Sequence, residues 1–205
     1  MKLTKIEPKF IKDHNPRIGL ITLASDFRIE KDFNDVIHGK GVDLYCNRIH
    51  CYNPLTNETL KKMADDIPKV TADILPDQKL DCVAYGCTSG TIAAGYSSIF
   101  EKVNSAKPNT KVTTPITSAI NALKSLKINK LSIFTPYTDE INQSVINYFK
   151  KENINITELS YFDIASDLDI GKVDPDYLLD VLAKKNLANS DALFVSCTAL
   201  PVLSI

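Results

Sequence analysis

Two cysteines, Cys87 and Cys197, each close a short apolar run and are each followed by threonine. Asp81–Tyr85 (DCVAY) leads into Gly86-Cys87-Thr88-Ser89, and Ala192–Ser196 (ALFVS) leads into Cys197-Thr198-Ala199. Such runs read as buried strands, so both thiols fall where a strand turns into the next helix. Ligands of open α/β sheets bind at these carboxyl ends, where helix N-termini offer free backbone N–H groups. A thiol placed there is expected to have a stabilised thiolate and a lowered pKa. The amides of Thr88, Ser89, Thr198 and Ala199, helped by their hydroxyls, are candidates to hold a substrate carboxylate. With a small acid held between two such sulfurs, one thiolate removes the α-proton and the opposite thiol returns one. That inverts the centre without a cofactor. A single cysteine in such a run is more often packing, since cysteine is among the most buried residue types. Equivalent placement in both halves tips the balance toward chemistry. Cys82 inside its strand, and Cys46 and Cys51 on opposite faces of another, read as packing.

The elements that must position these thiols follow from periodicity. Short β-branched runs alternate with longer amphipathic ones, the pattern of parallel sheets covered by helices. Strands are predicted at Arg17–Ala24, Leu44–Cys51, Asp81–Tyr85, Lys111–Thr114, Leu131–Thr135, Ile156–Phe162 and Ala192–Ser196. Helices are predicted at Ile29–Ile37, from Thr56 onward with an interruption near Pro68, at Thr117–Leu126, at Asp139–Lys151 and at Pro175–Lys185, the last opened by Asp174-Pro175. Gly19–Asp26 (GLITLASD) resembles Ser132–Asp139 (SIFTPYTD), and the two Cys-Thr turns recur at nearly the same offset. The fold class expected is therefore α/β: two pseudosymmetric doubly wound lobes with parallel sheets and an active site between them. Residues 1–115 form the first lobe, with an N-terminal arm over 1–15, and residues 116–205 form the second. A doubly wound lobe places a helix after its last strand. Its lack before Ile205 implies either a truncated C-terminus or a face covered by a neighbouring subunit, and a homo-oligomer is expected.

Composition narrows the partners. The chain is 44% hydrophobic and 24% charged with a net charge of −1, an ordinary globular profile without an electrostatic footprint for nucleic acid or a membrane surface. No apolar run approaches the ~18 residues of a membrane span. The first residues lack the apolar core of a secretory signal, and five unpaired-looking cysteines then suggest a reducing, cytoplasmic setting. No C-x-x-C pair, P-loop or G-x-G-x-x-G is present, and the three histidines lie far in sequence from Cys87 and Cys197, so neither a metal nor a nucleotide cofactor is expected.

The stretches IGLITLASD, VAYGCTSGT, FTPYTDEIN and FVSCTALP together resemble the aspartate/glutamate racemase superfamily. Within it, the similarity is greatest to the branch of maleate cis–trans isomerases, arylmalonate decarboxylases and ectoine-utilisation racemase-like proteins, over about Arg17 to Ile205. The resemblance implies a two-lobed fold, no metal or organic cofactor, and a small carboxylate or amino-acid substrate between the lobes. It makes Cys87 and Cys197 the catalytic pair and assigns Thr88, Ser89, Thr198 and Ala199 to carboxylate-binding turns. Tyr137 would contact substrate. The decarboxylases of this branch carry glycine where this chain has Cys87, which disfavours decarboxylation here. Members of the branch also run longer at the C-terminus. Maleate isomerases place asparagines where this chain has Asp26, next to Ser25 after the first strand, and Asp167 before the last helix. Two carboxylates would repel a dicarboxylate unless protonated and would suit an ammonium group. Asp26 has an alternative role as a helix N-cap, Asp167 as an exposed loop acid, and Tyr137 as a packed aromatic. Asn53-Pro54-Leu55-Thr56 and Glu58-Thr59-Leu60 resemble the ectoine-utilisation members. The leading expectation is thus a racemase or epimerase of a small amino acid or derivative, in ectoine-type compatible-solute breakdown. A maleate isomerase acting by thiolate addition is the alternative, ahead of a decarboxylase or a non-catalytic binder.

Overall fold

The structure, a computed structural model, describes residues 1–11 and 14–205; residues 12 and 13 of the expected arm lie outside the described residues. Residues 1–11 carry no regular secondary structure and lie exposed. The first lobe comprises β1 (Arg17–Leu23), α1 (Ile29–Ile37), β2 (Asp43–Ile49), α2 (Asn57–Met63), α3 (Ile67–Ala72), β3 (Cys82–Tyr85), α4 (Thr88–Ala94), α5 (Tyr96–Ala106) and β4 (Lys111–Thr113). The second comprises α6 (Pro115–Ser125), β5 (Lys130–Thr135), α7 (Asp139–Lys151), β6 (Asn155–Tyr161), α8 (Asp167–Gly171), α9 (Pro175–Ala183) and β7 (Ala192–Val195). No helix among the described residues is long and apolar enough to cross a membrane.

All strand pairings are parallel, in the orders β2-β1-β3-β4 and β6-β5-β7. The second sheet thus repeats the order of the first three strands of the first. In each sheet the chain reverses direction across the sheet between the first strand and the third, so a crevice opens at their carboxyl ends. β1 and β5, central in their sheets, are buried along most of their length, which is why both read as unbroken apolar runs. One continuous apolar core joins Ile21, Tyr85 and Ile99 of the first half to Phe134, Tyr137 and Phe149 of the second.

Local chemistry fixes where the helices start. Thr56 and Thr114 each cap a helix through reciprocal bonds with the threonine three residues on, and Asp174 caps α9 by accepting the Tyr177 N–H at 2.8 Å. α6 begins at Pro115 rather than at Thr117, because the Thr114-Pro115 cap starts it earlier. The interruption expected near Pro68 is a 3-10 turn over 64–66, after which the proline sits in the first turn of α3. α5 and α8 lie outside the elements that the sequence pattern predicts. The second strand ends at Ile49, so Cys51 stands beyond it rather than on one of its faces. The expected helix after Cys197 is replaced, among the described residues, by a turn and a 3-10 turn over Val202–Ser204.

Candidate active site

The strand topology delivers every singled-out side chain to one crevice. Ser25 and Asp26 follow β1, Thr88 and Ser89 open α4 after β3, and Cys87 lies between that strand and helix. From the second sheet, Tyr137 follows β5, Asp167 opens α8 after β6, and Cys197, Thr198 and Ala199 follow β7. Cys87 and Cys197 hold equivalent positions in the two sheets, beyond the third strand of each.

Cys87 is the N-cap of α4. Its Sγ accepts the Gly90 N–H at 3.2 Å and lies 3.8 Å from Ser89 Oγ, while the Thr91 hydroxyl donates to its carbonyl at 2.7 Å. Thr88 and Ser89 are buried with it. Cys197 is held differently. Its φ of +94° puts a non-glycine residue in a left-handed conformation that costs about 1–3 kcal/mol and persists only when its surroundings impose it. Those surroundings are visible. The Ser196 N–H donates to the Phe134 carbonyl at 2.8 Å, and the Ala199 N–H bonds the Cys197 sulfur. Thr198 Oγ1 lies 3.2 Å from Asp26 Oδ2 and 3.1 Å from the Gly86 carbonyl oxygen, sharing its one proton across the lobe boundary.

Burial governs the thiols. It pushes Cys87 up to about 12, outweighing the Gly90 N–H that favours the thiolate, and the Asp167 charge adds to the rise. Burial likewise holds Cys197 well above the ordinary thiol range, with the Asp167 charge next and the Ala199 N–H opposing. The lowering expected from a helix N-terminus is therefore overturned: a single N–H donor does not repay the loss of water around a sulfur anion. Both groups rest as neutral thiols.

Tyr137, 1% exposed, stands beside Cys197, with its hydroxyl 3.2 Å from Ser196 Oγ and in hydrogen-bond contact with the Cys197 sulfur. It is packed as an aromatic and also touches the site; the two roles are not exclusive. Asp26 ties down the turn into α1 without occupying its N-cap position, which is Arg28: its Oδ1 accepts the N–H groups of Arg28 (2.8 Å) and Ile29 (3.1 Å), and its Oδ2 faces Thr198. Asp167 departs from an exposed loop acid. It is 4% exposed, at the start of α8, and its Oδ2 accepts the Ser25 hydroxyl at 2.6 Å across the lobes. Burial raises its carboxyl to about 6, with Ser25 opposing and Asp26 adding to the rise.

A pH-dependent stability follows. An acid whose folded pKa lies above its unfolded value is better tolerated protonated, so its contribution is complete at low pH and is lost as pH climbs from about 4 to above 6. Asp167→Asn should thus change thermal stability little near pH 4 and raise it at pH 7.5. The limit is about 3 kcal/mol, from a rise of roughly two pH units. Melting curves of both proteins across that range measure it; equal melting at pH 7.5 would contradict the ionised state being costly.

Three groups not singled out from sequence also border the site. Cys51 is buried and raised to about 11 by burial, hydrogen-bonds Ser25, and feels the charges of Asp167 and Asp26. It packs in the apolar core, as expected, and also borders the crevice. The signal was its place just past the strand next to the one carrying Ser25. The Tyr85 hydroxyl is buried without a partner, and burial holds its pKa well above the ordinary range, with Cys87 and Cys51 adding to the rise. Ser196, 1% exposed, ties Tyr137 to the Cys197 turn. A cavity of about 440 Å³ meets the site at Tyr85, Gly86, Cys197 and Thr198; elsewhere its wall is mainly apolar, with Ile29, Phe33 and Leu203 among its lining. The arrangement suits proton transfer or nucleophilic addition by two opposed thiols at a small, largely dry centre.

Comparison with known proteins identifies the family and the fold. Residues 55–205 match the family model described as arylmalonate decarboxylase. The chain is 23% identical to a maleate isomerase of Geobacillus stearothermophilus, over 91% of this chain and 80% of that one. It is 25% identical to a maleate isomerase of Alcaligenes faecalis, over 91% and 79%. The fold superposes with a TM-score of 0.81, at 18% identity and over 92% of this chain and 80% of the other, on a Nocardia farcinica maleate cis–trans isomerase. That structure is a cysteine-to-serine mutant with a covalently bound succinylcysteine intermediate. By the match over most of its length, the chain belongs to the arylmalonate decarboxylase family, within the branch of the aspartate/glutamate racemase-like superfamily that includes the maleate isomerases.

Proposed function

We propose that the protein is a cis–trans isomerase of a small unsaturated dicarboxylic acid of the maleate type, with Cys87 as nucleophile and Cys197 as its proton-handling partner. The observation that carries this reading is the asymmetry of the two thiols. Cys87 is cradled at a helix start, with N–H and hydroxyl donors around its sulfur, whereas Cys197 sits on a strained turn beside Asp26 and Tyr137. Relatives named maleate isomerase favour the same reaction over racemisation.

The chemistry balances without a consumed co-reactant. Cys87 gives its proton to solvent as substrate binds, recovering one when it leaves at the end of the cycle, and its sulfur forms a bond to one alkene carbon. The π pair moves to the neighbouring carbon, where its carboxylate spreads the charge and the Cys197 thiol supplies a proton. What was a double bond is now single and turns by half a revolution. Cys197 then takes the proton back, the pair re-forms the double bond, and Cys87 leaves as thiolate. Buried thiols that rest neutral keep such a site from reacting indiscriminately.

Racemisation remains the second reading because two carboxylates, Asp26 and Asp167, stand near the thiols and would suit a substrate ammonium group. The two are separated by following maleate and enantiopure amino acids in D₂O by NMR. Isomerisation predicts fumarate; racemisation predicts α-proton exchange and no fumarate. Cys197→Ser should slow turnover and leave a fraction of the protein heavier by one maleic acid, attached at Cys87. Full activity in that variant, with no adduct by intact mass, would remove Cys197 from the mechanism.

A further inference from the structure

Asp167 is the one acid of the site that its neighbours do not fully occupy. Asp26 has both oxygens engaged, by the Arg28 and Ile29 N–H groups and by Thr198. Asp167 uses Oδ2 for Ser25, and among the described residues its carboxyl makes no second hydrogen bond. The residue keeps 4% of its surface exposed, so its other oxygen is not wholly sealed.

The groups facing it are acids and thiols. Asp26 approaches from the β1–α1 loop, Cys51 from beyond β2, Cys87 from the start of α4 and Cys197 from beyond β7. Among the described residues no side-chain cation is bonded to the Asp26 or Asp167 carboxylate: Arg48 spends its Nη1 on the Leu23, Ala24 and Asp26 carbonyls and pairs with Glu30 at 2.8 Å. Arg28 spends its Nε on the Gly171 carbonyl at the far end of α8 and Lys172 pairs outward with Asp169 at 2.7 Å. A carboxylate here would be held in a nearly dry, negative corner. In its acid form it presents one O–H donor and one carbonyl acceptor, and Ser25 already supplies the acceptor's partner.

We propose that Asp167 is a specificity-determining residue that works protonated, donating its carboxyl proton to the second carboxylate of a dicarboxylate substrate. This rests on the dicarboxylate reading above, and it removes the objection that two acids must repel such a substrate. Asp26 has both oxygens engaged, at the start of α1 and on Thr198. The same residue makes affinity for a dianion depend on pH: burial places the titration near 6, so the donor is present below that and is replaced by a repelling charge above it.

The test reads binding rather than turnover, with fumarate as the probe because it is doubly ionised throughout the range used. Its Kd is measured by calorimetry from about pH 5.5 to 8.5, spanning the Asp167 titration. In the unmodified protein the Kd should rise about tenfold per pH unit above the titration, reaching roughly 100-fold at pH 8. Asp167→Asn, which donates at every pH, should bind fumarate with a nearly flat profile and at least about tenfold more tightly than the unmodified protein at pH 8. Ser25→Ala removes the bond that favours the charged form and should move the break in the profile to higher pH. A flat profile in the unmodified protein, weaker binding by Asp167→Asn at every pH, or no fumarate binding to any variant would each overturn the inference. Binding with the expected profile but no conversion of maleate would leave Asp167 in this role while sinking the isomerase reading.

Discussion

Cys87→Ser is expected to lower maleate isomerisation by about 10³-fold or more while leaving melting temperature close to that of the unmodified protein. A serine hydroxyl is nearly isosteric, can still accept the Gly90 N–H that the sulfur accepts at 3.2 Å, and preserves the start of α4. It is a far weaker nucleophile and a far poorer leaving group, so both the addition and the elimination suffer. The outcome differs from that of the Cys197 variant in kind. Without the Cys87 sulfur no covalent adduct forms at all, whereas loss of the Cys197 proton still permits addition and lets the adduct build up. Intact-mass spectra after maleate treatment, together with fumarate formation and a melting curve, make the distinction. An adduct of equal yield in Cys87→Ser would place the nucleophile elsewhere, with Cys51 the first alternative by position.

The fold was largely legible because its signals are local. Apolar runs such as LSIFT and DCVAY became β5 and β3 within a residue or so, and Asp174-Pro175 marked the start of α9 as expected. The two Cys-Thr turns were found because a repeat doubles a weak signal. What stayed hidden depends on contacts distant in sequence. Asp167 was a site candidate with an exposed loop acid as its alternative; its burial was not legible because α8 has five residues, too few to show a period, and its partner Ser25 lies 142 positions away. The thiol pKa values reversed for the same reason. A helix start is visible in sequence and argues for a lowered value, whereas the two lobes that exclude water from the crevice meet only in three dimensions. Cys51 was misplaced by two residues of strand, and that small error moved it from a strand face to the rim of the site.

Gly90→Ala should abolish activity more completely than a methyl group suggests, with a loss of about 10²-fold or more in kcat/KM and a destabilisation of about 1–3 kcal/mol. A Cβ on Gly90 would stand 2.8 Å from the Tyr85 hydroxyl, 2.9 Å from Cys87 Sγ and 3.0 Å from Met63 Cε. The methionine end can swing aside. The tyrosine cannot, since its ring is fully buried and its hydroxyl already lacks a partner. The remaining relief is to push the Cys87 sulfur or to shift the first turn of α4, and either displaces the nucleophile from its N–H donor. Met63→Ala added to Gly90→Ala separates the two effects. Removing the larger side chain relieves one of the three contacts, so the double variant should not recover turnover, because the sulfur and the tyrosine still collide with the methyl group. Recovery of activity in the double variant would mean that the methionine, not the thiol, absorbs the clash. Turnover unchanged in Gly90→Ala alone would mean that the position of the Cys87 sulfur does not limit the reaction.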